Sequence, residues 1–98
     1  MKASFSSLAI LIPSYNPGQN ILDLVLELSS YQWNEIVVVN DGSSNESQIF
    51  FDNLKNIDNV HVINHSTNLG KGAAIKTGIE YLKNKKTRLD GLITADSD

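Results

Sequence analysis

Cysteine is absent from the 98 residues, which excludes a disulfide framework and any thiolate chemistry and fits a reducing compartment. Long apolar runs are missing too. The longest, Leu8 to Ile12, falls far short of the roughly 20 residues that span a bilayer and is too short for the apolar segment of a signal peptide. Positive charge is scarce, with 8 Lys and Arg against 11 Asp and Glu and a net charge of −3. A nucleic-acid-binding domain would carry the opposite balance, so no nucleic-acid partner is expected. No repeat, linker or low-complexity stretch breaks the chain. With 41% hydrophobic and 19% charged residues, it has the make-up of one small globular domain, read as soluble and cytoplasmic.

What is present alternates. "LAILIP" (8–13) and "IVVVN" (36–40) are continuous aliphatic runs bounded by turn residues, the pattern of strands buried on both faces of a parallel sheet. Between them Ile21, Val25 and Leu28, flanked by Leu22 and Leu24, recur at helical spacing, with Asp23 and Glu27 opposite; this predicts a helix over 18–31. Ser43 followed by Glu46 has the spacing of a capping box, opening a helix over 45–56 that carries Ile49, Phe50, Leu54 and Ile57. "VHVIN" (60–64) reads as a third strand. "NLGKGAAIKTGIEYL" (68–82) reads as a third helix with Ala74, Gly78 and Tyr81 on one stripe, its small residues suited to close packing on a sheet. "GLITA" (91–95) reads as a fourth strand. This β-α-β-α-β-α-β order predicts a Rossmann-like, three-layer α/β/α domain with a mostly parallel sheet.

Ligands of such sheets bind beyond the carboxyl ends of the strands, and four unusual stretches fall there: "PSYN" (13–16), "NDGSS" (40–44), "NLGKG" (68–72) and the pair Asp96 and Asp98. Asp41, followed by the turn-permissive Gly42, either accepts hydrogen bonds from a base or ribose or only shapes an Asx-type turn. Tyr15 either stacks on a base or packs at the rim. Gly70, Lys71 and Gly72 open a helix whose first N–H groups suit a phosphate. The stretch is not a Rossmann fingerprint, because it follows the third strand and position 75 is Ile, nor does it hold the Gly-Lys-Ser/Thr of a P-loop. His61 and His65 read as surface and loop residues, and Tyr31 and Trp33 as packing at a helix-to-strand corner. The basic cluster Lys83, Lys85, Lys86 and Arg88 complements the dipole at a helix C-terminus, with phosphate or anionic-lipid contact as the other reading. Two carboxylates one residue apart at a strand end are either a solvated terminus or part of a site for a hard divalent cation.

Taken together, "ILIPSYN" (10–16), "IVVVNDGSSNES" (36–47), "NLGKGAAIKTGIEYL" (68–82) and "ITADSD" (93–98) resemble the nucleotide-binding half of the family-2 glycosyltransferases, inverting enzymes of the GT-A fold. The third and fourth stretches are most similar to the dolichyl- and polyprenyl-phosphate sugar transferases. The resemblance implies strand order 3-2-1-4, with the first and fourth strands side by side at the centre of the sheet and Pro13 and Asp96 at one crevice. It implies a UDP- or GDP-linked sugar donor held by Pro13, Tyr15, Asn16, Asp41, Gly42, Lys71 and Asp96. It also implies Mg²⁺ or Mn²⁺ held by the D-x-D carboxylates Asp96 and Asp98, a polyprenyl-phosphate or glycan acceptor, and a role in cell-envelope polysaccharide synthesis. Pro17 stands where the family often has an acidic residue, and Asn40 where a second aspartate is common. The catalytic base, the acceptor site and any membrane-associated segments of the family fall beyond Asp98. Residues 1–98 are therefore expected to be the donor-binding portion of a longer enzyme, without a catalytic residue of their own. A sugar nucleotidyltransferase is the alternative within the same sheet type, though "PSYNPGQN" lacks the arginine its loop needs; a non-catalytic nucleotide-binding module is the other.

Overall fold

The structure is a computed structural model that describes residues 4–85 and 88–96. Its elements are β1 (Ser4–Ser14), α1 (Gln19–Leu28), β2 (Gln32–Asp41), a 3-10 turn (Asn45–Ser47) leading into α2 (Gln48–Leu54), β3 (Val60–His65), α3 (Lys71–Lys83) and β4 (Gly91–Thr94). The strands form one all-parallel sheet in the order β3-β2-β1-β4, the order that the resemblance implies. None of the described helices is long and apolar enough to cross a membrane.

The aliphatic runs of β1 and β2 are buried on both faces because alternate residues serve different helices. Ile10, Ile12, Ile36 and Val38 meet Ile21 and Val25 of α1 and Phe51 and Leu54 of α2. Their neighbours Ala9, Leu11, Val37 and Val39 meet Ala74 and Leu82 of α3 on the opposite face. Within α2 the buried positions are Phe51 and Leu54, while Ile49 is exposed. The expected inward position of Ile49 is thus corrected: the helix starts at Gln48, after a 3-10 turn, and this turns Phe51 to the sheet.

Both long strands begin earlier than their aliphatic runs. Phe5 at the start of β1 stacks on Trp33 of β2, 4.9 Å between ring centres, and the Trp33 indole N–H donates to the Leu28 carbonyl at 2.8 Å. Aromatic pairing across the strands replaces the aliphatic signal there, and it confirms Trp33 as a corner-packing residue. β4 is the edge strand of the described sheet, with Leu92 36% and Ile93 45% exposed. Adjacency of β1 and β4 is as expected, but β4 lies at the edge of the described sheet and not at its centre, with β1 as its one neighbour among the described strands.

Buried Glu35, near the start of β2, accepts a hydrogen bond from the Tyr81 hydroxyl at 2.6 Å and forms an ion pair with Lys85. Burial first, then the carboxylate, push the Tyr81 hydroxyl up to about 12. Arg88 pairs with Asp90 on the surface at 3.6 Å. Two members of the basic cluster therefore have acidic partners within the chain, and Lys86 lies outside the described residues.

The small residues of α3 do what their size suggests. Ala74 and Gly78 are buried, and a methyl group added at Gly78 would lie 2.2 Å from Cδ1 of Leu11. Gly78→Ala is expected to cost about 1–3 kcal/mol by overpacking. Trimming the obstructing side chain with Leu11→Ala should partly cancel that cost in a double-mutant cycle read by urea unfolding. Strictly additive losses would mean that the two residues do not share this contact.

Candidate functional site

The site is built at the carboxyl ends of the strands, where the loops after β1 and β2 are laced together. Asn16, in a left-handed conformation with φ of 47°, donates its backbone N–H to Ser43 Oγ at 2.9 Å and accepts the Ser44 N–H on Oδ1 at 2.8 Å. Ser47 Oγ donates to the Pro17 carbonyl at 3.1 Å. Asn40 accepts the Ser43 N–H at 3.0 Å and donates to Asn64 Oδ1 at 3.0 Å. The capping box expected of Ser43 and Glu46 is not formed: Ser44 caps the 3-10 turn, without a side-chain bond, because the Ser43 hydroxyl is taken by Asn16. Gly42 has φ of 68°, and a Cβ there would stand 2.2 Å from the Thr67 carbonyl carbon. Only glycine lets β2 turn out beneath the loop that leaves β3.

Asp41, the last residue of β2, is 3% exposed and bonded to His65 and to that loop. Oδ1 accepts the His65 ring N–H from Nδ1 at 2.8 Å and the Leu69 backbone N–H at 2.9 Å. Oδ2 accepts the Gly70 N–H at 2.9 Å. Burial by itself raises the pKa of the carboxyl, but the His65 bond, the two backbone bonds and the charge interaction with His65 outweigh it, so the acid is held below its usual 3.8. Of the four lone-pair positions on an ionised carboxylate, one on Oδ2 remains for a ligand. His65 Nε2 in turn meets Thr77 Oγ1 of α3 at 2.8 Å. The expectation that His65 is a bland loop residue is corrected. Its side chain is 9% exposed and ties β2 to β3 and α3, a role that depends on a partner 24 positions away and leaves no local pattern. His61 is exposed and stacks on Tyr81, 4.5 Å between ring centres.

These loops enclose a cleft of about 280 Å³ lined by Pro13, Ser14, Tyr15, Asp41, Asn68, Gly70, Lys71 and Asp96. Five of the residues singled out in the sequence, Pro13, Tyr15, Asp41, Lys71 and Asp96, thus share one cavity. Tyr15 is 54% exposed, so a face of its ring is available to a ligand. Asn16 and Gly42 do not line the cleft; they shape the loops behind it. Gly70, with φ of 97°, turns the chain into α3, which begins at Lys71 rather than at 68 because Asp41 holds the preceding amides out of the helix. Lys71 Nζ stands 3.4 Å from Asp96 Oδ2 across the mouth. Asp98 lies outside the described residues. Among the described residues no group of three or more His, Cys, Asp or Glu could hold a metal ion. Asp96 presents hard carboxylate oxygen at the cleft mouth, a donor type that suits Mg²⁺ or Mn²⁺ completed by waters and phosphate oxygens.

The sequence model of glycosyl transferase family 2 matches residues 9–98. The chain belongs to this family. It is similar to a dolichyl-phosphate beta-glucosyltransferase of Trichomonas vaginalis, 32% identical over 88 residues that cover 78% of this chain and 27% of the relative. A dolichyl-phosphate beta-glucosyltransferase of Saccharomyces cerevisiae is 32% identical over 91 residues, covering 80% and 27%. An uncharacterized glycosyltransferase of Escherichia coli is 32% identical over 88 residues, covering 87% and 25%. The chain therefore spans about a quarter of the length of these relatives. The family match takes in the whole cleft lining, from Pro13 to Asp96.

Because its native pKa is depressed, Asp41 contributes stability that is present above the ordinary 3.8 and is lost as pH falls through the native value. Asp41→Asn places an amide N–H₂ against backbone donors and is expected to cost about 1–3 kcal/mol at pH 7. That difference, measured by urea unfolding of both proteins, should shrink as pH falls from about 5 to about 2. A difference that stays constant over this range would show that the carboxylate charge does not hold the loop.

Proposed function

We propose that this chain is the donor-binding portion of an inverting glycosyltransferase that transfers a sugar from a UDP- or GDP-linked donor to a polyprenyl-phosphate or glycan acceptor. The observation that carries the reading is the cleft at the β1–β4 boundary, where Tyr15, Asp41, Lys71 and Asp96 converge in a chain of glycosyl transferase family 2. The names of the dolichyl-phosphate relatives favour a polyprenyl-phosphate acceptor over a glycan. In this reading the Tyr15 ring stacks on the base, the remaining lone pair of Asp41 accepts from a base N–H or ribose hydroxyl, and the Lys71 ammonium faces the diphosphate. Asp96 and Asp98 hold a divalent cation at the diphosphate. Bound there, Mg²⁺ or Mn²⁺ supplies Lewis-acid stabilisation of the charge that develops on the leaving nucleoside diphosphate. The residues of this chain bind and orient the donor; the base and the acceptor site belong to the rest of the enzyme, at the cytoplasmic face of a membrane.

Residues 1–98 alone are expected to bind UDP or GDP weakly in the presence of Mn²⁺ and to show no sugar transfer, as measured by calorimetry and a radiolabelled donor assay. Full-rate transfer by this chain would sink the proposal. In the full-length enzyme, Asp98→Asn removes one charged oxygen from the cation. Since each ~1.4 kcal/mol is about tenfold in rate and a Lewis-acid contribution is several kcal/mol, turnover should fall on the order of a hundredfold while the fold persists. Normal turnover and normal metal dependence in this variant would return Asp98 to the status of a solvated terminal residue.

A further inference from the structure

The cleft wall formed by residues 68–70 owes its shape to Asp41 and, behind it, to two side chains that do not line the cleft. Leu69 and Gly70 present their amides to Asp41 at 2.9 Å each, and Gly70 and Asn68 line the cavity. Asp41 is itself held by His65 Nδ1 at 2.8 Å, and His65 by Thr77 Oγ1 at 2.8 Å. An ionised carboxylate only accepts hydrogen bonds, so Nδ1 carries the proton; in the neutral ring Nε2 then accepts from the Thr77 hydroxyl. The bonds form one directed chain: Thr77 O–H to Nε2, Nδ1–H to Oδ1, with the Leu69 and Gly70 N–H groups closing on the same carboxylate.

We infer that His65 and Thr77 are positioning residues of the donor site, fixing the rotation of Asp41 and through it the backbone of residues 68–70 on the cleft wall. This rests on the donor-binding reading above for its purpose, but the geometry can be tested without any nucleotide. Thr77 reaches the chain from the second turn of α3, so the helix that begins at Lys71 is locked to the loop that precedes it. Rotation of the Asp41 carboxylate would release both amides together. A preformed wall spares a ligand the cost of ordering the loop.

The test uses ¹⁵N spectra of the ring nitrogens and of the Leu69 and Gly70 amides, recorded at alkaline pH on the wild type, Thr77→Val and Thr77→Ser. The wild type is expected to show the Nδ1–H tautomer, with both amides slow to exchange. Thr77→Val keeps the shape of the side chain but removes the donor; it should leave the Nδ1–H tautomer that Asp41 dictates and speed exchange of the two amides about three- to tenfold, the equivalent of one modest hydrogen bond. Thr77→Ser should restore slow exchange at both. A general loss of stability would speed exchange throughout α3 and β3 rather than at these two amides. An Nε2–H tautomer in the wild type, or amides unchanged in Thr77→Val, overturns the inference. Titration with UDP or GDP and Mn²⁺ should show about three- to tenfold weaker binding in Thr77→Val than in Thr77→Ser. Failure of the wild type to bind either nucleotide would overturn the donor-site reading alone, because the tautomer and the two amides are read without ligand.

Discussion

A carboxylate taken out of water must be surrounded by donors or it will protonate or drive the chain apart. Asp41 meets that requirement with one imidazole and two backbone amides, and meeting it decides where three segments of the chain go. The end of β3 must deliver His65, the loop after it must turn back so that residues 69 and 70 point inward, and α3 must wait until Lys71 to begin. Glycine at 42 follows from the same demand, since the returning loop passes where its Cβ would be. The other buried carboxylate of β2, Glu35, lies near the opposite end of the strand and holds Tyr81 and Lys85 at the far end of α3. One strand therefore pins both ends of one helix, and the mouth of the cleft is referenced to the most deeply buried strand of the sheet.

The sheet order explains why the cleft lies where it does. From β1 the chain steps outward through β2 to β3, then returns to place β4 on the other side of β1, with α1 and α2 packed on one face and α3 on the other. The cleft opens where β1 and β4 lie side by side, at the point where the strand order reverses, which is the natural crevice of such a sheet. Pro13, Ser14 and Tyr15 come from one side of that crevice and Asp96 from the other. Their meeting is a consequence of topology.

Much of this was legible in the sequence, for a stated physical reason in each case. Continuous aliphatic runs bounded by turn residues read as strands covered on both sides, and the small residues Ala74 and Gly78 as a close helix-to-sheet contact; both readings hold. So does the gathering of Pro13, Tyr15, Asp41, Lys71 and Asp96, because strand ends in a parallel sheet share an edge. What escaped the sequence was long-range. The serine that looked like a helix cap was claimed by Asn16, 27 positions away. His65 looked idle because its partners stand 24 and 12 positions away. Ile49 looked buried because a 3-10 turn is indistinguishable from the first turn of a helix in a periodicity argument. The exposed flank of β4 was missed because its apolar residues match those of a central strand.

The two sides of the cleft differ in how firmly they are held, and the difference matters for binding a charged ligand. On the inner wall, burial makes every bond to Asp41 costly to break, so the 68–70 backbone is fixed before a ligand arrives. At the mouth, Lys71 and Asp96 pair at 3.4 Å with side chains 66% and 53% exposed, and an ion pair so well solvated contributes at most about 1 kcal/mol. Breaking this pair therefore costs the Lys71 ammonium little. The firmly held wall thus stands beside the buried carboxylate, and the exposed charges of Lys71 and Asp96 stand at the solvent boundary.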